Sequence, residues 1–255
     1  MQLKDATVLI ADDEPGFRTL LRKWFEAERC RVLVAENGAE ALHLVRTNDV
    51  HLLVSDVRMP VMDGIELMRR LMEGKHYLPK VILISGFSDI EDRESFDLGV
   101  EASLAKPIRR QVMASVVRRC LMDRDERWRE LPAEPPPEKV LTISFPSLAT
   151  ARQQGLIAFG RGGFCVRSRL AVGVTNPIQL DLGFKGDGRA LIGQGIVRWT
   201  EPREEQIGIE ITFVEDAYRA WVVDMTECDG SLSFIPRTSG AQMAAVHANP
   251  AAANE

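Results

Sequence analysis

Apolar residues in the first 122 positions follow two alternating spacings. Between short apolar runs, apolar residues recur every three or four positions, which predicts five helices: one after Pro15, one around residues 39–45, and three at Gly64–Met72, Ile90–Leu98 and Ile108–Met122. Strands alternating with helices predict an α/β doubly wound fold, in which a parallel sheet is covered by helices on both faces. The apolar runs predict its five strands, at Thr7–Ala11, Arg31–Ala35, His51–Ser55, Val81–Ser85 and Ala102–Ala105.

Residues 140–230 show a different pattern, with short runs rich in Val, Ile, Leu and Phe separated by turns that contain glycine or proline. This spacing predicts a small antiparallel β-barrel, followed by a helix at about Asp216–Met225. The predicted strands are Leu156–Phe159, Phe164–Arg167, Pro177–Leu182, Gly193–Trp199 and Ile207–Phe213.

A break in composition separates the two patterns. The stretch DRDERWRELPAEPPPEK, residues 123–139, is first charged and then proline-rich, which is typical of a stiffened linker. The end of the chain offers few side chains that could be buried, above all from Thr238 onward. We therefore expect a first domain at 1–122, a linker at 123–139, a second domain at 140–230 and a disordered tail at 231–255.

Charge and composition narrow the class of protein. A net charge of −5 argues against a general nucleic-acid binder, and no apolar run approaches the roughly 20 residues of a membrane span. The four cysteines and four histidines are scattered without the spacing of metal ligands or of a disulfide framework. We expect a cytoplasmic protein with reduced thiols and no insertion into membranes.

Polar residues follow the predicted strands of the first domain. Asp12 and Asp13 follow the first strand, Asp56 the third, Ser85 ends the fourth and Lys106 follows the fifth. The carboxyl ends of parallel strands meet at one edge, where carboxylates about 4 Å apart repel by roughly 4 kcal/mol at an effective dielectric near 20. Such a cluster suits Mg²⁺, and with a hydroxyl and an ammonium nearby it suits a phosphoryl group on a carboxylate. The simpler alternative is that ADDEP only caps the helix that starts at Pro15.

These stretches, LIADDEP, LLVSDVRMPVMDG, LISG and LAKP, resemble the receiver domain of two-component response regulators, a flavodoxin-like fold, across residues 5–122. The resemblance implies that Asp56 is the phosphoacceptor for a histidine of a sensor kinase. It also implies that Asp13, Asp56 and the main-chain carbonyl of Arg58 bind Mg²⁺, with Asp12 acting mainly through water.

By the same resemblance, Ser85 moves toward the phosphoryl group and Lys106 pairs with it. Receivers often carry an aromatic residue three positions before this lysine, and here that position is Ser103. Phosphorylation is therefore expected, while the geometry of the output stays open.

In the second domain, SFPSLATARQQGLIAFGRGGFCVRS, GQGIVRWTEP and IGIEITF resemble a divergent PilZ domain. PilZ domains that bind cyclic di-GMP use an Arg-x-x-x-Arg segment and an Asp/Asn-x-Ser-x-x-Gly segment. This chain has Ala158 and Gly160 at the Asp/Asn and Ser positions, while Gly163 matches the glycine. Arg152 and Arg161 remain as phosphate contacts for cyclic di-GMP, and solvated arginines beside an ordinary turn are the alternative.

Three hypotheses follow. The leading one is a response regulator, not a dedicated enzyme, that is phosphorylated by a sensor kinase and signals through protein contacts to an unidentified downstream protein, with no DNA binding. The second adds cyclic di-GMP as another input, and the third is a Mg²⁺-dependent phosphohydrolase with Asp56 as nucleophile. Whether the protein forms a homodimer is left open.

Overall fold

The apolar runs of the first 122 residues form the parallel sheet that their spacing predicts. In the computed structural model, which describes residues 3–74, 78–86, 92–129, 133–228 and 231–238, five strands pair in the order β2-β1-β3-β4-β5, all parallel. They are β1 Thr7–Ala11, β2 Arg31–Ala35, β3 Leu52–Asp56, β4 Lys80–Ser85 and β5 Ala102–Ala105. The predicted parallel sheet is confirmed, and the strand bounds agree to within one residue.

Five helices follow these strands: α1 Pro15–Ala27, α2 Gly38–Thr47, α3 Gly64–Glu73, α4 Asp92–Asp97 and α5 Arg110–Leu121. Side-chain caps fix two of the helix starts, because Asn37 accepts from the amide of Glu40 and Asp63 from that of Glu66. The first two residues of the predicted helix Ile90–Leu98 lie outside the described residues.

Alternate side chains of the central strands enter two separate cores, one on each face of the sheet. Leu9 and Leu53 pack with α2 and α3, whereas Ile10 and Val54 pack with α1 and α5. Because β1 and β3 are buried on both faces, their carboxyl ends are held at fixed positions.

The second unit contains a mixed, curled sheet of six strands in the order β6-β9-β10-β11-β8-β7. Its elements are β6 Val140–Phe145, α7 Leu148–Gln153, β7 Ile157–Phe159, β8 Gly163–Arg167, β9 Pro177–Phe184, β10 Arg189–Glu201, β11 Gln206–Val214 and α8 Asp216–Cys228. All neighbours are antiparallel except β6 and β9, which are parallel, so the prediction of a purely antiparallel sheet of five strands is wrong. Closure of this sheet into a barrel stays a prediction.

The chain divides into a first unit, residues 1–127 with 230–234, and a second unit, residues 128–229 with 235–255. None of the helices in the described residues is long and apolar enough to span a bilayer.

The predicted linker and tail contain buried residues. A helical turn, α6 at Arg124–Arg127, ends with a buried arginine, and the next residue, Trp128, is 0% exposed in the core of the second unit. Phe234 and Ile235, in the predicted disordered tail, are also buried. Residues 231–238 therefore pack, because they carry large apolar side chains; residues 239–255 lie outside the described residues.

Gly163 offers a test of the second sheet. A Cβ at this position would lie 1.9 Å from the carbonyl oxygen of Ile209 in β11, whereas one at Gly183 in β9 would meet no atom within 4 Å. We expect Gly163→Ala to destabilise the second unit by about 1–3 kcal/mol, since the backbone of β11 must shift. Urea unfolding followed by tryptophan fluorescence measures this, because Trp128, Trp199 and Trp221 lie in this unit.

Gly183→Ala is the matched control and should leave the unfolding midpoint nearly unchanged. Equal midpoints for the two variants would contradict the close approach of β8 and β11.

Candidate functional site

Three carboxylates meet at the carboxyl edge of the first sheet. Asp12 follows β1 and Asp56 ends β3, and these strands are neighbours in register. Asp12 is 1% exposed and Asp56 6% exposed, while Asp13 is exposed. One carboxylate oxygen of each residue lies within 4.8 Å of the others. The structure therefore brings together the acidic residues that the sequence predicts.

A single lysine neutralises part of this charge. Lys106 follows β5, and its main-chain amide donates to the carbonyl oxygen of Ser85 at 2.9 Å. Its Nζ donates to Asp56 Oδ2 at 2.8 Å and to Asp12 Oδ2 at 3.1 Å. A third bond, to Glu14 Oε1 at 3.2 Å, was not foreseen from the sequence, although Glu14 lies within the ADDEP motif.

The protein environment shifts two pKa values in this cluster. Burial raises the pKa of Asp12 above its ordinary value, against the hydrogen bonds from the Glu14 amide and from Lys106, which lower it. Burial alone would lower the pKa of Lys106, but the hydrogen bonds and charges of Asp56 and Asp12 outweigh it and raise that pKa. Lys106 therefore stays charged at neutral pH.

Backbone amides hold the two buried carboxylates in place. The amide of Val57 donates to Asp56 Oδ1 at 2.7 Å, and the amide of Glu14 donates to Asp12 Oδ1 at 2.8 Å. Each carboxylate thus has one oxygen on a main-chain amide and the other on Lys106. Since a carboxylate oxygen has two lone pairs, these oxygens can still accept a further partner.

The start of α3 lies against the main chain of Asp56. A Cβ at Gly64 would be 2.3 Å from the carbonyl oxygen of Asp56, so only glycine permits this approach. The intervening loop contains Val61, which is 86% exposed and has a φ of 68°. Arg58, also in this loop, has an exposed side chain two residues after Asp56.

Residues 8–118 match the family model of the response regulator receiver domain. GlrR, a transcriptional regulatory protein of Escherichia coli K12, is 33% identical over 134 residues, 51% of this chain and 30% of GlrR. An uncharacterized 14.6 kDa protein of Leptolyngbya boryana is 40% identical over 112 residues, 42% of this chain and 82% of that protein. A solved receiver domain of a signal transduction histidine kinase from Syntrophus aciditrophicus is 33% identical, with 46% of this chain and 90% of that chain covered and a TM-score of 0.42.

The chain belongs to the response regulator receiver family. The receiver domain lies in the first unit, and the prediction of its fold is confirmed. The chain spans only 30% of the length of GlrR, and the similarity to the protein of Leptolyngbya boryana covers 42% of this chain.

Receiver domains bind Mg²⁺ at an acidic pocket, and the cluster of Asp12, Asp13 and Asp56 is a pocket of this kind. Its ligands are all carboxylate oxygens, which a hard divalent cation prefers. The residues present therefore fit the metal. The main-chain carbonyl of Arg58 as a fourth ligand stays a prediction.

The two receiver residues that contact a phosphoryl group by resemblance are placed at adjacent strand ends. Ser85 ends β4, one residue beyond Ile84, which is paired with Asp56 at the end of β3, and Lys106 follows β5. Ser103, at the position where many receivers have an aromatic residue, is exposed on the edge strand β5. This position on β5 therefore carries a small hydroxyl side chain and no aromatic ring.

The two arginines predicted to contact cyclic di-GMP lie in different local settings. Arg152, in α7, places its guanidinium 5.9 Å from the ring centre of Phe159. Arg161 is half-buried in the turn between β7 and β8. The main chain of this turn bonds within the sheet, since the amide of Gly160 donates to Gly163 and the carbonyl of Gly162 accepts from Ile211.

Lys106 and a bound cation would compete for the same carboxylates. We expect Lys106→Met to lower the Kd for Mg²⁺ by about tenfold or more. The repulsion between two unit positive charges 4 Å apart is roughly 4 kcal/mol at a dielectric near 20. A tenfold change in Kd requires only about 1.4 kcal/mol of this repulsion. Isothermal titration calorimetry with MgCl₂ measures the Kd.

Lys80→Met is the matched control, because Lys80 starts β4 and pairs with Glu101 instead of with the acidic cluster. An unchanged Kd in Lys106→Met would show that the ammonium does not oppose the metal.

Proposed function

We propose that this protein is a two-component response regulator in which Asp56 accepts a phosphoryl group from a histidine of a sensor kinase. The observation that carries the proposal is the arrangement at Asp56. One oxygen is fixed by the Val57 amide and the other by Lys106, and two further carboxylates lie beside it. This arrangement holds an oxygen nucleophile next to groups that stabilise incoming negative charge.

In the transfer, an oxygen of Asp56 attacks phosphorus, the N–P bond of the donor phosphohistidine breaks, and an acyl phosphate forms while the imidazole leaves. Mg²⁺ held by Asp12, Asp13, Asp56 and the Arg58 carbonyl would neutralise charge on the phosphoryl oxygens. Lys106 then exchanges its bonds to the carboxylates for one to a phosphoryl oxygen, and the Ser85 hydroxyl donates another. The new group adds about −1.5 to −2 charges, which favours a rearranged state of these strand ends.

We further propose that the second unit is a divergent PilZ domain that passes the signal on through protein contacts. The motifs between residues 144 and 213 and the curled sheet followed by α8 support this assignment. Cytoplasmic location belongs to the same proposal and is supported by Cys30, Cys120 and Cys165, which are buried and form no disulfide within the described residues.

Phosphorylation at Asp56 can be measured directly. Incubation with acetyl phosphate and Mg²⁺ should add one phosphoryl group to the intact mass, and Asp56→Asn should abolish the addition because the amide is a poor nucleophile. Asp63→Asn is the matched control, since asparagine also caps α3 and this variant should be modified like the wild type.

Absence of the added mass in the wild type would refute the proposal of an active receiver. Continued release of phosphate from a phosphate ester over many turnovers would instead support a Mg²⁺-dependent phosphohydrolase that uses Asp56.

The dual-input alternative is favoured by one observation, the half-buried guanidinium of Arg152 over an aromatic ring near the turn that contains Arg161. Arginine forks of this kind can bind the phosphates of cyclic di-GMP. Against it, Ala158 and Gly160 have no side-chain group to bond the guanine.

Because these bonds are missing, we expect no heat above dilution when cyclic di-GMP is titrated into the full chain at high micromolar concentration. Measurable binding that weakens at least tenfold in Arg161→Ala would establish the alternative. Arg203→Ala, at an exposed turn residue between β10 and β11, is the control for general electrostatic attraction.

A further inference from the structure

Arg18, an arginine of α1, is bonded to the main chain of the acidic cluster. Its Nη1 donates to the main-chain carbonyl oxygen of Asp12 at 2.6 Å, and its Nη2 donates to Glu36 Oε1 at 2.6 Å. The side chain of Arg18 is only 11% exposed. One guanidinium therefore joins the loop after β1 to the residue that directly follows β2.

The bond from Arg18 fixes the peptide group between Asp12 and Asp13. Because a peptide group is planar, a bond to the carbonyl oxygen of Asp12 also fixes the plane of the Asp13 amide. On the other side of Asp12, its own amide donates to the carbonyl oxygen of Ala35 at 3.2 Å. The two peptide groups that flank Asp12 are thus held from outside the loop, one by β2 and one by Arg18. The direction in which the chain leaves toward Asp13 depends on the second of these bonds.

The loop between β2 and α2, which carries Glu36, is itself fixed. The amide of Glu36 donates to Glu40 Oε2 at 2.8 Å in the first turn of α2. The amide of Gly38 donates to the carbonyl oxygen of Met62 at 3.0 Å, and a Cβ at Gly38 would lie 2.6 Å from that same oxygen. Met62 belongs to the loop between β3 and α3, which begins directly after Asp56. Glu36 is therefore a firm anchor for the guanidinium.

The charge of Arg18 and its hydrogen bonds affect a bound cation in opposite directions. An ion pair with an exposed carboxylate contributes little by itself, and the Glu36 side chain is 70% exposed. The Arg18 side chain is instead largely inaccessible, and it uses two nitrogens on two separate acceptors. As a positive charge, Arg18 opposes a cation at the acidic cluster. As a hydrogen-bond donor, it orients the chain at the residues that hold that cation.

We propose that Arg18 is a positioning residue of the metal site, which holds Asp13 in the acidic cluster through its bonds to the Asp12 carbonyl and to Glu36. The inference deepens the proposed function, because this metal site serves the transfer to Asp56. Arg18 contributes no ligand, since a guanidinium has no lone pair for a cation, and it acts through the main chain. Removal of Arg18 therefore weakens Mg²⁺ binding, although it removes a positive charge.

Calorimetric titration of the full chain with MgCl₂ tests the sign of this effect. Arg18→Met should raise the Kd for Mg²⁺ by about tenfold, a typical loss when an outer partner of a metal ligand is removed. This change is opposite in direction to that expected for Lys106→Met. Arg22→Met is the matched control, because Arg22 lies on the same helix and pairs with Glu26 at the surface. Its Kd should stay within about twofold of the wild-type value.

Glu36 gives a second test that leaves the largely inaccessible arginine in place. Glu36→Ala and Glu36→Gln remove the same charge, but only glutamine keeps an oxygen that can accept from Arg18. We expect the Kd of Glu36→Ala to be about threefold or more above that of Glu36→Gln, which corresponds to the loss of one hydrogen bond. Urea unfolding of each variant establishes that folded protein is titrated.

The outcomes separate this inference from the proposed function. An equal or lower Kd in folded Arg18→Met would overturn the positioning role, since loss of charge alone has that result, and would leave the proposed function standing. Equal Kd values for Glu36→Ala and Glu36→Gln would also overturn it, even where Arg18→Met does not fold. A wild type that binds Mg²⁺ but takes no phosphoryl group from acetyl phosphate would refute the proposed function and leave the role of Arg18 intact. A wild type that binds no Mg²⁺ would overturn the inference, because no metal site would exist to be positioned.

Discussion

The ammonium of Lys106 makes the interaction on which the acidic cluster of Asp12, Asp13 and Asp56 depends. It bonds Asp12, Asp56 and Glu14, and without it two buried carboxylates would face each other at the end of neighbouring strands. The cost of leaving a buried charge unpaired is several kcal/mol, so the lysine permits the acidic pocket to fold before any metal binds. Lys106 does not neutralise the whole negative charge of the pocket, because its one positive charge bonds at least three acidic groups. The remaining negative charge is what a divalent cation can use.

The balance of positive and negative charges is opposite at the two ends of β5. At the carboxyl end, Lys106 is one cation among several carboxylates. At the amino end, Glu101 is one carboxylate between two cations, Lys80 at 2.9 Å and Arg127 at 2.9 Å. At the amino end two cations face one carboxylate, whereas the acidic cluster at the carboxyl end can accept more positive charge.

Local spacing predicted the receiver fold because the strands there are built on short apolar runs, and because the site residues lie at or near the ends of those runs. It could not predict contacts that close over long distances. Trp128 lies in a charged stretch, and only the structure shows that it fills the core of the second unit. In Val140–Phe145, which follows a proline-rich stretch, apolar and polar residues largely alternate. Its parallel pairing with β9 depends on the tertiary fold. Phe234 is a single aromatic residue, and one residue forms no repeating apolar pattern from which its burial could be predicted.

Close packing of the strands accounts for the glycines between β7 and β8, and no bound ligand is needed to explain them. A side chain at Gly163 would collide with the main chain of β11, and the turn's amide and carbonyl groups at Gly160 and Gly162 are already used by the protein. A loop that cradles phosphate keeps such amides free for the anion. The turn therefore contributes chiefly to the close approach of strands, and recognition of a nucleotide would depend on the side chain of Arg161 with help from Arg152. Two arginines without a guanine-reading partner supply attraction to phosphate but no selectivity for a base. These features support the proposal that the second unit acts through protein contacts and not through a bound nucleotide.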